Sequence, residues 1–301
     1  MHGTPGFSVD KFHHDASVVY NFGWRKLSRL AALKMNLHQI SHYMHGGTAP
    51  TQVFADDVLV VPENRMSRLR ELFPGVPKIV LNQNPYLAAK QLCSQVMLRD
   101  LLGTINTSDA CQSASTHLLP NVAAHRVPLW LERNLFAPVK AKSCQIAYMP
   151  RRMANDAQMV LNLLAASGAA EGIEIVPIDN RPIDEVARVL RESLIFLSFA
   201  QHEGFGLPGA EAIASGCLTV GCTGGGGDEY FSRFGGWPVA QQDAFGFADT
   251  VMDVLKRYAE NPDAMDAARL DNAQAILAHY KQETTVAALA DALAALVGPP
   301  K

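Results

Sequence analysis

Glu203 and Glu211 stand with seven residues between them, Gly204-Phe205-Gly206-Leu207-Pro208-Gly209-Ala210. Ahead of them the apolar run 194–199 predicts a buried parallel strand. Behind Gly206 the alanine-rich run 208–215 has Pro208 in its first turn and Gly216 just past its end, which predicts a helix. Residues 202–206 then read as a loop whose glycines let a ligand come close to the main chain. A strand running through such a loop into a helix N-terminus favours a phosphate, through free N–H groups and the helix dipole. Glu211 lies about one turn into the helix, and helical side chains lean toward the N-terminus. A carboxylate there can accept two hydrogen bonds from a vicinal diol such as a ribose. Phosphate beside ribose points to a nucleoside diphosphate carrying a further group.

Arg151 and Arg152 follow the predicted strand 145–149. Their forked donors match phosphate oxygens, and the sequence does not choose between them. Residues 224–227 are four glycines behind the strand that starts at 218–220, followed by Asp228-Glu229-Tyr230. Fixing four glycines costs backbone entropy, so close approach of a ligand or moving partner is favoured there. Asn82-Gln83-Asn84-Pro85-Tyr86 closes a strand where open α/β sheets bind ligands, making Asn84 and Tyr86 candidates for an acceptor-side or a structural role. His42 and His45, beside Gly46-Gly47, are the other candidates for that side. Asp56-Asp57 opens a strand, and His13-His14 has no further ligand at useful spacing, so no metal site is predicted.

The elements that must position these residues alternate. Strands are predicted at 16–22, 55–63, 78–81, 104–107 and 122–129, with helices at 24–43, 64–73, 88–102 and 109–119 between them. After a boundary near 138–143, strands fall at 145–149, 173–177, 194–199 and 218–220, with helices at 155–167, 182–191 and 208–215. Three helices follow the short segment 237–239, at 244–261, 263–280 and 284–296. Such alternation means parallel sheets with helices on both faces. The 301 residues divide into an N-terminal domain at 1–140, a second domain at 141–283 and a closing helix at 284–301, with 1–15 poorly ordered.

The net charge of −3 gives no global pull toward nucleic acid or an acidic membrane. Five cysteines without a Cys-x-x-Cys pair supply neither zinc spacing nor a disulfide framework, so a reducing cytosol is expected. No apolar run reaches the length of a membrane span, and the first twelve residues do not read as a signal peptide.

Glu203 and Glu211 with Gly-Phe-Gly-Leu-Pro between them, and Ala-Ile-Ala-Ser-Gly-Cys-Leu-Thr-Val behind, resemble the Glu-x7-Glu signature of retaining GT-B glycosyltransferases, in particular family 4. Residues 131–138 resemble that family's passage between domains. The resemblance is strong over 144–231 and thinner over 53–138. It implies two Rossmann-like α/β domains facing across a cleft, with the last helix packing back on the first. It also implies transfer of a sugar from a nucleotide-diphosphate sugar with retention, without metal or cofactor. Glu211 would take the ribose hydroxyls and Glu203 the donor sugar, with main-chain N–H groups of Gly204, Phe205 and Gly206 on sugar or phosphate. Leu207 would adjoin them. Arg151 or Arg152 would take the diphosphate, and Gly225 and Gly226 would line the donor cleft beside a glutamate. The Lys that the family keeps a few residues after its arginine is absent, since Met153-Ala154-Asn155-Asp156-Ala157-Gln158 follows here. The acceptor stays open among saccharide, lipid-linked and protein acceptors, the lipid-linked case entailing peripheral membrane contact. Two other readings stand beside the transferase: a non-catalytic nucleotide-sugar-binding or assembly protein, and an epimerase on the same fold.

Overall fold

The computed structural model describes residues 57–69, 73–91, 98–150 and 152–298. The strand and helix expected before residue 44, the candidates His42 and His45, and Arg151 lie outside the described residues. Two parallel sheets carry the chain. The first is ordered β1-β2-β3-β4, from β1 (Leu59–Pro62), β2 (Lys78–Asn82), β3 (Leu101–Asn106) and β4 (Ala123–Arg126). Helix α1 (Pro85–Lys90) follows β2, and α2 (Asp109–Leu118) follows β3.

The second sheet is built from β5 (Ser143–Tyr148), β6 (Glu174–Pro177), β7 (Ser193–Glu203), β8 (Leu218–Gly225) and β9 (Trp237–Pro238). Its spatial order is β6-β5-β7-β8-β9. Helix α3 (Ala154–Ser167) joins β5 to β6, α4 (Ile183–Glu192) joins β6 to β7, and α5 (Leu207–Ala214) joins β7 to β8. Three helices close the chain, α6 (Ala244–Glu260), α7 (Pro262–His279) and α8 (Gln282–Val297).

The sequence explains the centre of this sheet directly. Leu194, Ile195, Phe196 and Leu197 are all buried, because a central parallel strand is covered by helices on both faces. Val186, Ala187, Val189 and Leu190 supply the buried side of α4. One core, with Phe196, Ile213 and Leu190, fills one face of the sheet, while a second, with Ile195, Val160 and Val251, fills the other. The first sheet is likewise packed on both faces; on one of them Ile79, Ile105 and Val127 meet Ala292 of α8. Among the described residues no helix is long and apolar enough to cross a membrane.

The structure corrects three of the expected elements. Of the helix expected at 88–102, residues 92–97 lie outside the described residues, while α1 ends at Lys90 and β3 is already under way at Leu101. Leu101 pairs with Lys78 in register, so ladder hydrogen bonds take residues whose apolar pattern also fits a helix. The polar helix expected at 64–73 is a 3-10 turn at Glu63–Arg68. His202 and Glu203, expected in a loop, belong to β7, because pairing with β8 resumes at Glu203↔Gly225 after an irregularity. The same pairing draws Gly224 and Gly225 into β8, leaving Gly226 and Gly227 to open a 3-10 turn (Gly226–Glu229).

Candidate active site

The order β6-β5-β7-β8-β9 reverses direction between β5 and β7, since the chain leaves β5 toward one edge and returns on its other side. In open α/β sheets ligands bind outside the carboxyl ends of the strands at such a switch point. Here the carboxyl end of β5 leads into Arg152, and β7 ends at Glu203. The two side chains meet across the switch point, with Arg152 Nε 2.9 Å from a Glu203 carboxylate oxygen. Glu203 is the more enclosed partner, at 20% side-chain exposure against 41% for Arg152.

On either side of Glu203 the backbone turns sharply. His202 has a φ of 53° and Gly206 a φ of 84°, both left-handed. Glycine takes that conformation freely, whereas a histidine there is held by its surroundings. Two contacts hold it. The His202 carbonyl accepts a hydrogen bond from Asn84 Nδ2 at 2.8 Å, and its ring lies 4.5 Å from that of Tyr86. Gly206 stands at the N-cap of α5, and its carbonyl accepts a 2.5 Å hydrogen bond from the Tyr230 hydroxyl. Tyr230 is fully buried, and burial first, then the carboxylates around it, pushes its hydroxyl well above the ordinary tyrosine range. It therefore stays a proton donor, fixed against the start of α5.

Phe205 turns its ring inward, 5.0 Å from Tyr230 and 5.1 Å from Tyr280, so its ring anchors the loop in the core. Leu207 packs against the same core. Glu211 is partly buried on α5, one turn past Gly206. Glu203, the Gly204–Gly206 turn and the first residues of α5 thus form one continuous chain segment at the sheet edge.

The first sheet presents its own carboxyl edge to this segment. Asn84 caps α1, its Oδ1 accepting from the Tyr86 and Leu87 amides at 3.0 and 3.1 Å, while its Nδ2 reaches His202. Gly204 lies so close to this edge that a Cβ added there would come within 1.6 Å of the Gln83 carbonyl oxygen. On Gly225 a Cβ would come within 2.6 Å of the Tyr86 hydroxyl, and on Gly226 within 2.3 Å of Gly204. Gly204 and Gly225 therefore serve close approach between the two sheet edges, while Gly226 packs its backbone against that of Gly204. Asn84 and Tyr86, for which the sequence leaves an acceptor-side or a structural role open, contact His202 of the second sheet in this arrangement. Beneath them the buried Glu63 accepts from the Gln83 amide at 3.3 Å, and burial raises its carboxyl above the usual range.

Sequence reasoning passed over the residues that join the sheets. Glu229 follows the glycines, and the resemblance put a glutamate there only as part of the donor-cleft wall. Its carboxylate accepts from the Asp109 amide at 2.7 Å, Arg126 Nη2 at 2.8 Å and the Tyr280 hydroxyl at 2.9 Å. Burial, outweighing these partners, raises its carboxyl above the ordinary range. The available signal was positional: Arg126 closes a strand at a carboxyl edge, and Ser108 is a serine ahead of a helix, where it caps α2 by accepting from the Cys111 amide at 3.0 Å.

Comparison with known proteins agrees with this architecture. No protein-family model matches the chain. Over 249 residues it is 24% identical to an alpha-1,6-glucosyltransferase of Actinobacillus pleuropneumoniae serotype 7 (strain AP76), spanning 76% of this chain and 73% of that protein. Among solved structures, sucrose-phosphate synthase from Thermosynechococcus elongatus superposes with a TM-score of 0.56 at 14% identity, over 83% of this chain and 74% of that one. Anabaena HepE in complex with UDP superposes with a TM-score of 0.60 at 11% identity, over 79% of each chain. The likeness to these structures establishes the fold, the two-domain α/β architecture called GT-B.

Proposed function

We propose that this protein is a glycosyltransferase that moves a sugar from a nucleotide-diphosphate sugar to an acceptor hydroxyl, with retention of the anomeric configuration. The observation that carries the reading is the Arg152–Glu203 pair at the switch point of the second sheet, continuous with the glycine turn, α5 and Glu211. Similarity to a protein named as a glucosyltransferase, and to a fold partner solved with UDP, supports the same reading.

In this reading Glu211 accepts from the ribose hydroxyls and Glu203 contacts the donor sugar. Main-chain N–H groups of Gly204, Phe205 and Gly206 face sugar or phosphate, with Leu207 adjoining, and Gly225 and Gly226 bound the donor side of the cleft. The diphosphate falls to Arg152, with Arg151 beside it in sequence. As the sugar–phosphate bond breaks, arginine and the N-terminus of α5 stabilise the negative charge that develops on the leaving diphosphate. A leaving-group phosphate oxygen takes the acceptor hydroxyl's proton while the acceptor oxygen bonds to the anomeric carbon on the same face, which is retention. The reading includes no metal, so EDTA is expected to leave turnover unchanged. It places the reaction in the cytosol, on a saccharide, lipid-linked or protein acceptor.

A thermal-shift screen against a panel of nucleotide sugars identifies the donor, since a ligand bound only by folded protein raises its melting temperature. The stabilising donor is then assayed for nucleoside diphosphate release, with and without cell extract as a source of acceptor. Stabilisation with acceptor-dependent release is the expected result. Stabilisation without turnover under every condition instead favours a non-catalytic nucleotide-sugar-binding protein. The absent Lys after Arg152 is the observation on that side.

A further inference from the structure

Three segments distant in sequence converge on one carboxylate. Glu229 lies on the turn that leaves β8 in the second sheet, while Arg126 ends β4 and Asp109 begins α2, both at the carboxyl edge of the first sheet. Tyr280 follows α7, just before the chain returns to the first sheet through α8. Glu229 accepts hydrogen bonds from all three, at 2.7 to 2.9 Å, and its side chain is only 7% exposed. Arg126 is held in turn by Asp109, its Nε lying 3.1 Å from that carboxylate.

The contact seals the cleft elsewhere. With the sheets in this position the Gln83 carbonyl presses on Gly204 with no room for even a methyl group, and the Asn84 amide nitrogen bonds the His202 carbonyl. The Cys111 thiol lies 3.9 Å from the Gly204 carbonyl oxygen. The turn proposed to meet the donor is therefore covered on this side by the first sheet. From this side, a ligand as large as a nucleotide sugar reaches the turn only if the two edges part.

We infer that Glu229 is a closure latch, a positioning residue whose carboxylate fixes the carboxyl edges of the two sheets against each other and whose release uncovers the Gly204–Gly206 turn. The energetics suit a reversible contact. Taking the carboxylate out of water outweighs what Arg126, the Asp109 amide and the Tyr280 hydroxyl return, so its carboxyl sits above the usual range. A buried ion pair of that kind adds little net stability while fixing geometry. Motion between domains across modest polar contacts is also the ordinary expectation. The latch concerns the two sheets and operates without donor; it rests on the proposed transfer only for what the opening admits.

Hydrogen-exchange mass spectrometry on the full chain, with no substrate present, tests the latch independently of catalysis. In Glu229→Gln the amides at 83–87, 107–112 and 203–206 are expected to exchange roughly tenfold faster, as for a sub-global opening. Strand residues 194–199 should keep their protection. Arg126→Gln should reproduce this pattern, and combining the two substitutions should add little. Faster exchange confined to 226–230, or no change, overturns the latch and leaves Glu229 a local packing residue. Should Glu229→Gln instead lose protection throughout, Tyr280→Phe decides, because it removes one hydroxyl and keeps the ring. Faster exchange at 83–87, 107–112 and 203–206 together in that variant supports the latch, and exchange that is unchanged or faster at one segment alone overturns it. None of these outcomes depends on whether the protein transfers sugar.

Discussion

Glu211 and Cys222 are residues whose surroundings predict opposite chemistry. Glu211 stands partly buried one turn into α5, where the proposed ribose offers two hydroxyls. Hydrogen bonds to a charged group contribute about 1.5–3 kcal/mol, so Glu211→Ala should raise the donor KM by roughly ten- to a hundredfold. Initial-rate kinetics varying the donor measure this, and an unchanged donor KM removes the ribose assignment. Cys222 lies within β8, where burial first, then Asp156 and Asp243, push its thiol up to about 11. An unfolded chain ionises the same thiol at about 8.5. A raised folded-state value means that the stability is whole below the unfolded value and is lost as pH rises through the folded one. Between those values the protein should lose on the order of 3 kcal/mol that Cys222→Ala does not lose, read from urea midpoints across that range. At neutral pH the exposed Cys144 should react with an alkylating agent while buried Cys111, Cys217 and Cys222 stay protected.

The element that matters most is the unit β7, turn and α5, with β8 beside it. Apolar residues drive β7 into the centre of the sheet, and proline with the alanines that follow starts α5 where the strand stops. β8 is specified less by apolar character than by what it lacks. Gly221 has a φ of 134°, and a Cβ there would lie 2.4 Å from the Ser198 carbonyl oxygen and 2.5 Å from the Phe247 ring. Gly221→Ala therefore combines backbone strain with overpacking against rigid neighbours, about 2–5 kcal/mol in total. Gly204→Ala meets the Gln83 carbonyl instead, across a contact that can open, so it should cost less in global stability. Urea denaturation of both variants checks the order, and a greater loss for Gly204→Ala contradicts it.

Across the whole molecule the linker between the sheets is secured by one buried arginine. Arg269 of α7 is 2% exposed, and it donates to the carbonyls of Val139 and Lys140 at 3.0 and 2.5 Å. It also reaches the Gly216 carbonyl at 3.4 Å and pairs with Asp266 at 2.6 Å. Arg269→Ala leaves these acceptors buried or half-buried without their donor, which should destabilise the fold by about 3–5 kcal/mol. Chemical denaturation measures the loss. The helix α8 completes the arrangement, since its Leu296 fills the space left by the missing side chain of Gly103 on β3. Together the linker, α8 and the Glu229 contact set how far the two sheet edges can separate.

The sequence by itself determined the alternation of strands and helices, the apolar centre of the second sheet and the glycine turn into α5, because each depends on residues close together in the chain. It also marked Glu203, Glu211 and the arginines after β5, through glycine and proline spacing that only some backbones satisfy. Tertiary structure alone brought Arg152 onto Glu203, and it alone set Asn84 and Tyr86 against His202. It extended β7 to Glu203 and drew two of the four glycines into β8, since ladder pairing is set by the neighbouring strand. Glu229 shows the limit most clearly. Its partners Asp109, Arg126 and Tyr280 lie 120, 103 and 51 positions away, and no local pattern of spacing or periodicity records that they meet.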